Sequence, residues 1–356
     1  YILEQMNLRF LSLAGTSAGA INTMMLASMG DFDEMKSHLL IEEFAKKNLL
    51  DFVNNDQTIK KILESIIRKE PVMKSFFHVL WNGFRLKRSM NNYLGINNGN
   101  NFYHWLREIL AEHGIKTTDD LNKKRAQLPK TIQVRENVER SIEGLHTSLA
   151  IIAADITTQT KVSFPQMNVL YWDHPETVNP ADYVRASMSI PFLFQPYQVF
   201  NLPSGYRAQQ NWVDLVSYNG PIPDQAQFVD GGIMSNFPID AFHVKGVPRL
   251  PSFGVKLGVN RENPQPSRNF RSYLRNLINA MRQVHDFEFL VNHRDYEHLI
   301  QTVDIGDHIW FDFDISNDDK IDLFVRGARA ANEFLRKFNW QAYKEVRYRK
   351  LIEPHL

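Results

Sequence analysis

The strongest constraint on this chain is a short turn between two glycines, Gly15-Thr16-Ser17-Ala18-Gly19, close to its start. The turn follows a short apolar run, Arg9–Leu13, and opens an apolar segment of helical composition, Ala18–Met29. Where a strand turns this sharply into a helix, the central residue is strained, and side chains two residues before and after it collide. Glycine at both places avoids the collision. The pattern therefore predicts a strand–turn–helix unit that projects the Ser17 hydroxyl, although glycines also occur where a helix start merely packs closely.

A second glycine-rich motif, Phe228-Val229-Asp230-Gly231-Gly232, supplies an acid. Its apolar residues predict a strand that delivers Asp230 to the carboxyl edge of a sheet, where the active sites of α/β proteins lie. A serine nucleophile needs a base. Asp230 is therefore the candidate base for Ser17, although an Asp-Gly pair alone is also an ordinary turn.

Together these motifs resemble the patatin-like phospholipase family, whose members use a Ser–Asp dyad in place of a triad. Gly15–Ala20 resembles the family's nucleophile elbow, Val184–Pro191 its Ala-Ser-x-x-Ile-Pro segment, and Val229–Pro238 its Asp-Gly-Gly…Asn-x-Pro motif. The resemblance implies that Ser17 is the nucleophile and Asp230 the base. It further implies an elbow made of Gly15, Thr16, Ala18 and Gly19, and an acid loop containing Gly231 and Gly232.

The implied activity is hydrolysis of fatty-acyl esters of phospholipids or related lipids through an acyl-enzyme. The alternatives are a soluble carboxylesterase or acyltransferase, and a catalytically silent lipid- or protein-binding module of the same fold. The family's glycine-rich oxyanion loop precedes the serine, so we expect it upstream of Tyr1. Tyr1 itself lies in a helix-like pattern, which also suggests preceding residues.

The implied fold is a three-layer α/β fold of patatin type, with a mainly parallel central sheet covered by helices on both faces. We expect one domain over residues 1–356, with a helical insertion at 31–147 and a C-terminal strand-and-helix extension at 245–356. Apolar runs predict strands at Leu149–Ala153, Lys161–Phe164, Val169–Trp172, Phe228–Val229, Phe253–Val259 and His308–Phe313.

Composition excludes several classes of protein. The chain has 41 Lys and Arg against 40 Asp and Glu, so no overall field attracts nucleic acid, and we expect no nucleic-acid partner. It has 0 cysteines, which excludes thiolate catalysis, disulfides and cysteine zinc sites. We expect no metal and no cofactor, although Asp312–Asp319 has alternating oxygen ligands that suit calcium. That tract lacks the glycine and glutamate of a calcium loop, which favours Ser316 as a helix N-cap instead.

A Ser-His-Asp triad is the alternative mechanism, because several histidines follow Asp230 in the chain order of α/β-hydrolases. The candidates are His243, His285, His293, His298, His308 and His355. None lies in a recognisable glycine-flanked loop at a strand end. The sequence therefore favours the dyad.

Two segments bear on membranes. Phe10–Met29 runs twenty residues without a charge, but its polar residues and glycines favour a buried strand and helix over a membrane span. Phe76–Arg88 combines aromatic and basic side chains, as an interfacial helix does at anionic headgroups, although a helix packed inward has the same composition. We expect a cytoplasmic protein or one peripheral to a membrane. The sequence leaves the oligomeric state open.

Overall fold

The computed structural model describes residues 1–52, 94–135, 138–258, 289–306 and 315–352, and the single positions Pro264, Pro266, Ser267, Asn276, Ala280 and His308. The chain forms two compact units. The large unit is Asn7–Gly232, and the small unit is Tyr1–Met6 with Ile233–Leu356. The predictions for His285, His355, Phe76–Arg88 and nearly all of His308–Phe313 lie outside the described residues.

In the large unit, the strands are β1 (Ser12–Thr16), β2 (Gly95–Asn97), β3 (Thr131–Arg135), β4 (Val138–Ser141), β5 (Ser148–Asp155), β6 (Thr160–Phe164), β7 (Phe192–Phe194), β8 (Tyr197–Phe200) and β9 (Gln225–Asp230). Its helices are α2 (Ala18–Ser28), α3 (Ser37–Lys46), α4 (Asn100–Glu112), α5 (Thr118–Arg125), α6 (Pro180–Ser187) and α7 (Tyr206–Val216). The small unit contains α1 (Ile2–Gln5), β10 (Gly254–Leu257), β11 (Ile300–Val303), α8 (Asn317–Lys337) and α9 (Trp340–Ile352).

The central sheet of the large unit is organised around β5, which is buried along almost its whole length. β1 is parallel to β5 and its last residue, Thr16, lies opposite Ile152. β9 is antiparallel to β5 and its last residue, Asp230, lies opposite Ala153. β6 pairs with residues 151–155 of β5 and so occupies one edge, which leaves β1 and β9 on the other edge. β1 and β9 therefore lie end to end, with their carboxyl ends meeting.

The predicted α/β class is confirmed. The central sheet contains antiparallel strand pairs as well as a parallel one. The pairs β1–β5, β2–β7 and β10–β11 are parallel, whereas β6 and β9 join β5, and β8 joins β9, in antiparallel fashion. β6 is antiparallel because a tight turn joins it to β5, and only antiparallel strands can be joined so closely. The Asp155 carboxylate stabilises that turn by accepting the Thr157 N–H at 2.8 Å and the Thr158 hydroxyl at 2.7 Å.

Two predicted segments differ in the structure. Val169–Trp172 is not a strand: residues Asn168–Leu170 form a short 3-10 turn, and Tyr171 is buried against the aromatic core. A short apolar run has no periodicity that separates a strand from a buried turn. Inside the segment expected to be helical, Thr131–Arg135 and Val138–Ser141 form the paired antiparallel strands β3 and β4.

The uncharged stretch near the chain start is explained by burial. α2 has buried residues around most of its circumference, including Ala20, Met24 and Met25, and it packs on β1 and β5. Among the described residues, no helix has the length and apolar character needed to cross a membrane.

The small unit has its own apolar core, made of Phe237, Ile239, Tyr296, Leu299 and Tyr343. Ser316 caps α8, as expected, because its hydroxyl accepts the N–H of Asp319 at 3.1 Å.

Candidate active site

Ser17 stands between β1 and α2 in a backbone conformation that non-glycine residues rarely adopt, with φ 55° and ψ −125°. Gly15 makes the turn possible, since a Cβ atom there would overlap the carbonyl oxygen of Gly19 on the adjacent helix turn. The motif predicts a collision at both glycines, and the structure shows one only at Gly15. Among the described residues, a Cβ atom at Gly19 would have no neighbour within 4 Å.

The two candidate catalytic side chains are in direct contact. Ser17 Oγ donates to Asp230 Oδ2 at 2.5 Å, although 213 residues separate them in the chain. The other carboxylate oxygen, Oδ1, accepts the N–H of Gly232 at 2.7 Å, which fixes the plane of the carboxylate and stabilises its charge. Both side chains are buried. Gly231 lies against β5, where a Cβ atom would overlap the carbonyl oxygen of Ile152, so only glycine allows this approach.

A third segment contacts both members of the pair. Ser187 Oγ accepts the main-chain N–H of Ser17 at 2.9 Å, and Met188 Sδ lies 3.6 Å from Ser17 Oγ. The carbonyl of Ser189 accepts the main-chain N–H of Asp230 at 2.9 Å. Sequence reasoning identified the surrounding stretch only as a resemblance and gave these three residues no role. Their contacts are long-range, and no local pattern predicts them.

α2 begins directly after Ser17, so its N-terminus lies next to the place where an oxyanion would form if Ser17 attacked an ester. A helix leaves its first N–H groups without partners inside the helix, and its positive end favours negative charge. In nucleophile elbows, the N–H that follows the serine donates to the oxyanion. Ala18 holds that position here, as the first residue of α2.

Three histidines of the triad alternative have hydrogen-bond partners within the small unit. His243 Nδ1 lies 2.9 Å from the Tyr296 hydroxyl, His293 Nδ1 lies 3.0 Å from the Phe289 carbonyl, and His308 Nε2 lies 3.0 Å from Asp322 Oδ2. In the part of the chain that the structure describes, no three His, Asp or Glu side chains converge as a metal site.

A comparison with known protein families identifies the family of this chain. The patatin-like phospholipase family matches residues 2–243. A protein of Bacillus subtilis (strain 168), described as uncharacterized protein YqhO, is 27% identical over 342 residues, which cover 95% of this chain and 92% of that protein. The crystal structure of VipD from Legionella pneumophila is similar with a TM-score of 0.37 and 14% identity; the alignment covers 94% of this chain and 63% of that chain. Because the family match covers well more than half of the residues of this chain, the chain belongs to the patatin-like phospholipase family.

Proposed function

We propose that this protein hydrolyses fatty-acyl esters of phospholipids or related lipids, with Ser17 as nucleophile and Asp230 as base. The observation that carries the proposal is the 2.5 Å contact between Ser17 Oγ and Asp230 Oδ2 at a strained strand–helix turn. Membership of a family of lipid acyl hydrolases supports the substrate class.

The proposed reaction uses one carboxylate twice. Asp230 Oδ2 accepts the proton of Ser17 Oγ as that oxygen attacks the ester carbonyl carbon, and a tetrahedral oxyanion forms. The C–O bond to the alcohol then breaks, the leaving oxygen takes the proton from Asp230, and the acyl group remains on Ser17. Water, deprotonated by Asp230, attacks the acyl-enzyme, and the fatty acid leaves as Ser17 recovers its proton.

The surroundings of the dyad support these roles. The N–H of Gly232 holds Oδ1 of Asp230, so Oδ2 stays directed at the serine. The oxyanion would form at the start of α2, where the Ala18 N–H and the helix dipole stabilise negative charge.

We propose that the protein contacts a lipid surface as well as the single lipid molecule that it hydrolyses. The aromatic and basic segment Phe76–Arg88 is the candidate for peripheral contact with anionic headgroups. It lies outside the described residues, so its sequence alone supports this part of the proposal.

A labelling experiment with product analysis tests the function. A fluorophosphonate probe should modify Ser17 and no other serine, and mass spectrometry of products from mixed lipids should detect free fatty acid. Ser17→Ala should abolish both signals. Ser28→Ala is a matched control, since Ser28 is a buried serine at the far end of α2 whose hydroxyl donates to the Met24 carbonyl at 2.8 Å.

The outcomes separate the candidate functions. Labelling with turnover of short soluble esters but not of lipids would point to the carboxylesterase alternative. A full-length protein that is folded but unlabelled would point to the silent binding module and reject the enzyme.

A further inference from the structure

Arg185 is a buried arginine at the end of α6, and its guanidinium binds three different parts of the large unit. Nη1 donates to Ser189 Oγ at 2.6 Å, and Nη2 donates to the carbonyl oxygens of Asn98 and Gln195 at 2.7 Å and 3.0 Å. Only 4% of the residue is exposed. Burial lowers the pKa of Arg185 to about 10, so the guanidinium stays charged at neutral pH.

The local structure is built around this side chain. Gly99 has a positive φ of 71°, and a Cβ atom there would overlap Nε of Arg185, so a side chain at position 99 would displace the guanidinium. The ring of Phe194 lies 5.6 Å from the guanidinium carbon. A planar fork with five N–H donors can bind a hydroxyl and two carbonyls at fixed angles, which a single ammonium group cannot do.

Ser189 connects the guanidinium to the candidate active site. Its hydroxyl binds Arg185 and donates back to the Arg185 carbonyl at 2.9 Å, while its own carbonyl accepts the N–H of Asp230. Two residues earlier, Ser187 holds the N–H of Ser17. A single stretch, Ser187–Ser189, therefore contacts both members of the dyad, and Arg185 anchors one end of that stretch.

We propose that Arg185 is a positioning residue, which sets the separation of Ser17 and Asp230 by fixing Ser187–Ser189 against both. The proposal rests on the proposed function, because the separation matters only if the pair is catalytic. A displacement of about 1 Å between reacting groups is enough to reduce turnover by roughly 100-fold.

Arg125 provides a matched control at the other end of the same sheet. It is partly buried, burial lowers its pKa to about 10, and its Nη2 donates to the carbonyls of Leu11 and Ser148 at 3.2 Å and 2.8 Å. Leu11 precedes β1 and Ser148 begins β5, so this arginine lies far along both strands from Thr16 and Asp230.

The experiment compares Arg185→Met, Arg185→Lys, Ser189→Ala and Arg125→Met in the full chain. For each variant the rate of fluorophosphonate labelling at Ser17, kcat and KM are measured per folded molecule, well below its melting temperature. We expect Arg185→Met to lower kcat and the labelling rate roughly 10–100-fold with KM within about twofold, since the loss is one of geometry and not of substrate binding. Arg185→Lys should recover part of the loss, Ser189→Ala should lose less than Arg185→Met, and Arg125→Met should match wild type.

Equal kcat losses in Arg185→Met and Arg125→Met, or a loss confined to KM, would overturn the positioning role. If Arg185→Met does not fold, Ser189→Ala decides, and a wild-type labelling rate in that variant would reject the role. A wild-type protein that is not labelled at Ser17 gives a different result: the proposed function itself fails, and the role of Arg185 fails with it.

Discussion

Thr16 and Asp230 pair with consecutive residues of one strand, Ile152 and Ala153 of β5. Because β1 and β9 approach along the same edge of β5 from opposite directions, the residue after Thr16 meets the residue that ends β9. The contact between Ser17 and Asp230 is thus fixed by strand register over 213 residues of separation. A shift of either strand by one residue would move its side chains to the other face and separate the pair.

We expect Asp230→Asn to reduce turnover by roughly 100-fold or more, because an amide cannot accept the serine proton. Single replacement of His243, His293, His298 or His308 by alanine should leave most activity. The measurements are steady-state turnover of a lipid ester and the fluorophosphonate labelling rate. A folded histidine variant without turnover would replace the dyad by a triad.

Asp155→Asn is the control for Asp230→Asn. Asp155 is also buried at a strand end of the same sheet, but its carboxylate binds Thr157, Thr158 and the Tyr171 hydroxyl. We expect this variant to lose stability and to keep kcat per folded molecule. If both asparagine variants lost kcat equally, the loss would reflect disturbance of the sheet and not removal of the base.

The two elbow glycines should respond differently to alanine. Gly15→Ala places a methyl group against the backbone of Gly19, so we expect the free energy of unfolding to fall by about 1–3 kcal/mol. We also expect this variant to retain little activity. Gly19→Ala places its methyl group at the start of α2 in space that no described residue occupies, and alanine favours the helix, so stability should be unchanged or raised by up to about 1 kcal/mol. Urea denaturation of both variants checks this, and a Gly19→Ala protein as unstable as Gly15→Ala would contradict it.

That difference illustrates what sequence could and could not predict. The turn around Ser17 is encoded in five adjacent residues, so its conformation and the candidate nucleophile followed from the motif. Which glycine faces a neighbour depends on how α2 packs, and the motif does not contain that information. The same holds for Arg185, whose partners Asn98 and Gln195 directly follow β2 and β7.

The direction of β9 in the sheet was also not predictable from the sequence. Phe228–Val229 is too short an apolar run to indicate which way β9 crosses the sheet, and the strand in fact extends over Gln225–Asp230. Its antiparallel pairing with β5 comes from long-range contacts. The candidate base was predictable because its motif is local, whereas the end-to-end approach of β1 and β9 was not.

The small unit should be destabilised by acid. Burial alone would raise the pKa of Asp295, but hydrogen bonds from Lys350 and Arg347, at 2.9 Å and 2.8 Å, outweigh burial and hold that pKa below its usual value. A carboxylate with a lowered folded pKa stabilises the protein above its unfolded pKa of about 4, and the stabilisation is lost as the pH falls through the folded value. Melting temperatures measured from pH 7 to pH 2.5 should therefore fall in the acid range.

Asp295→Asn tests the origin of that dependence. Removing one partner of a buried ion pair leaves Arg347 without its carboxylate, so we expect a loss of about 3–5 kcal/mol at pH 7 and a weaker acid dependence. Asp322→Asn is the control, since Asp322 binds Arg326 and His308 at the surface and should contribute much less. An unchanged acid dependence in Asp295→Asn would show that other carboxylates cause it.

The role of Phe76–Arg88 distinguishes a lipid enzyme from a soluble esterase, and two variants test whether this segment contacts membranes. If it lies on membranes, Trp81→Ala and Arg85→Glu/Lys87→Glu should weaken binding to anionic vesicles and lipid hydrolysis. Hydrolysis of a short soluble ester should stay unchanged, because the Ser17–Asp230 pair is untouched. If the segment packs inward instead, Trp81→Ala should cost about 3–5 kcal/mol of stability through lost burial, and both substrates should suffer together. Assays on both substrates with thermal melts distinguish these results, and equal losses with a lowered melting temperature would reject the interfacial role.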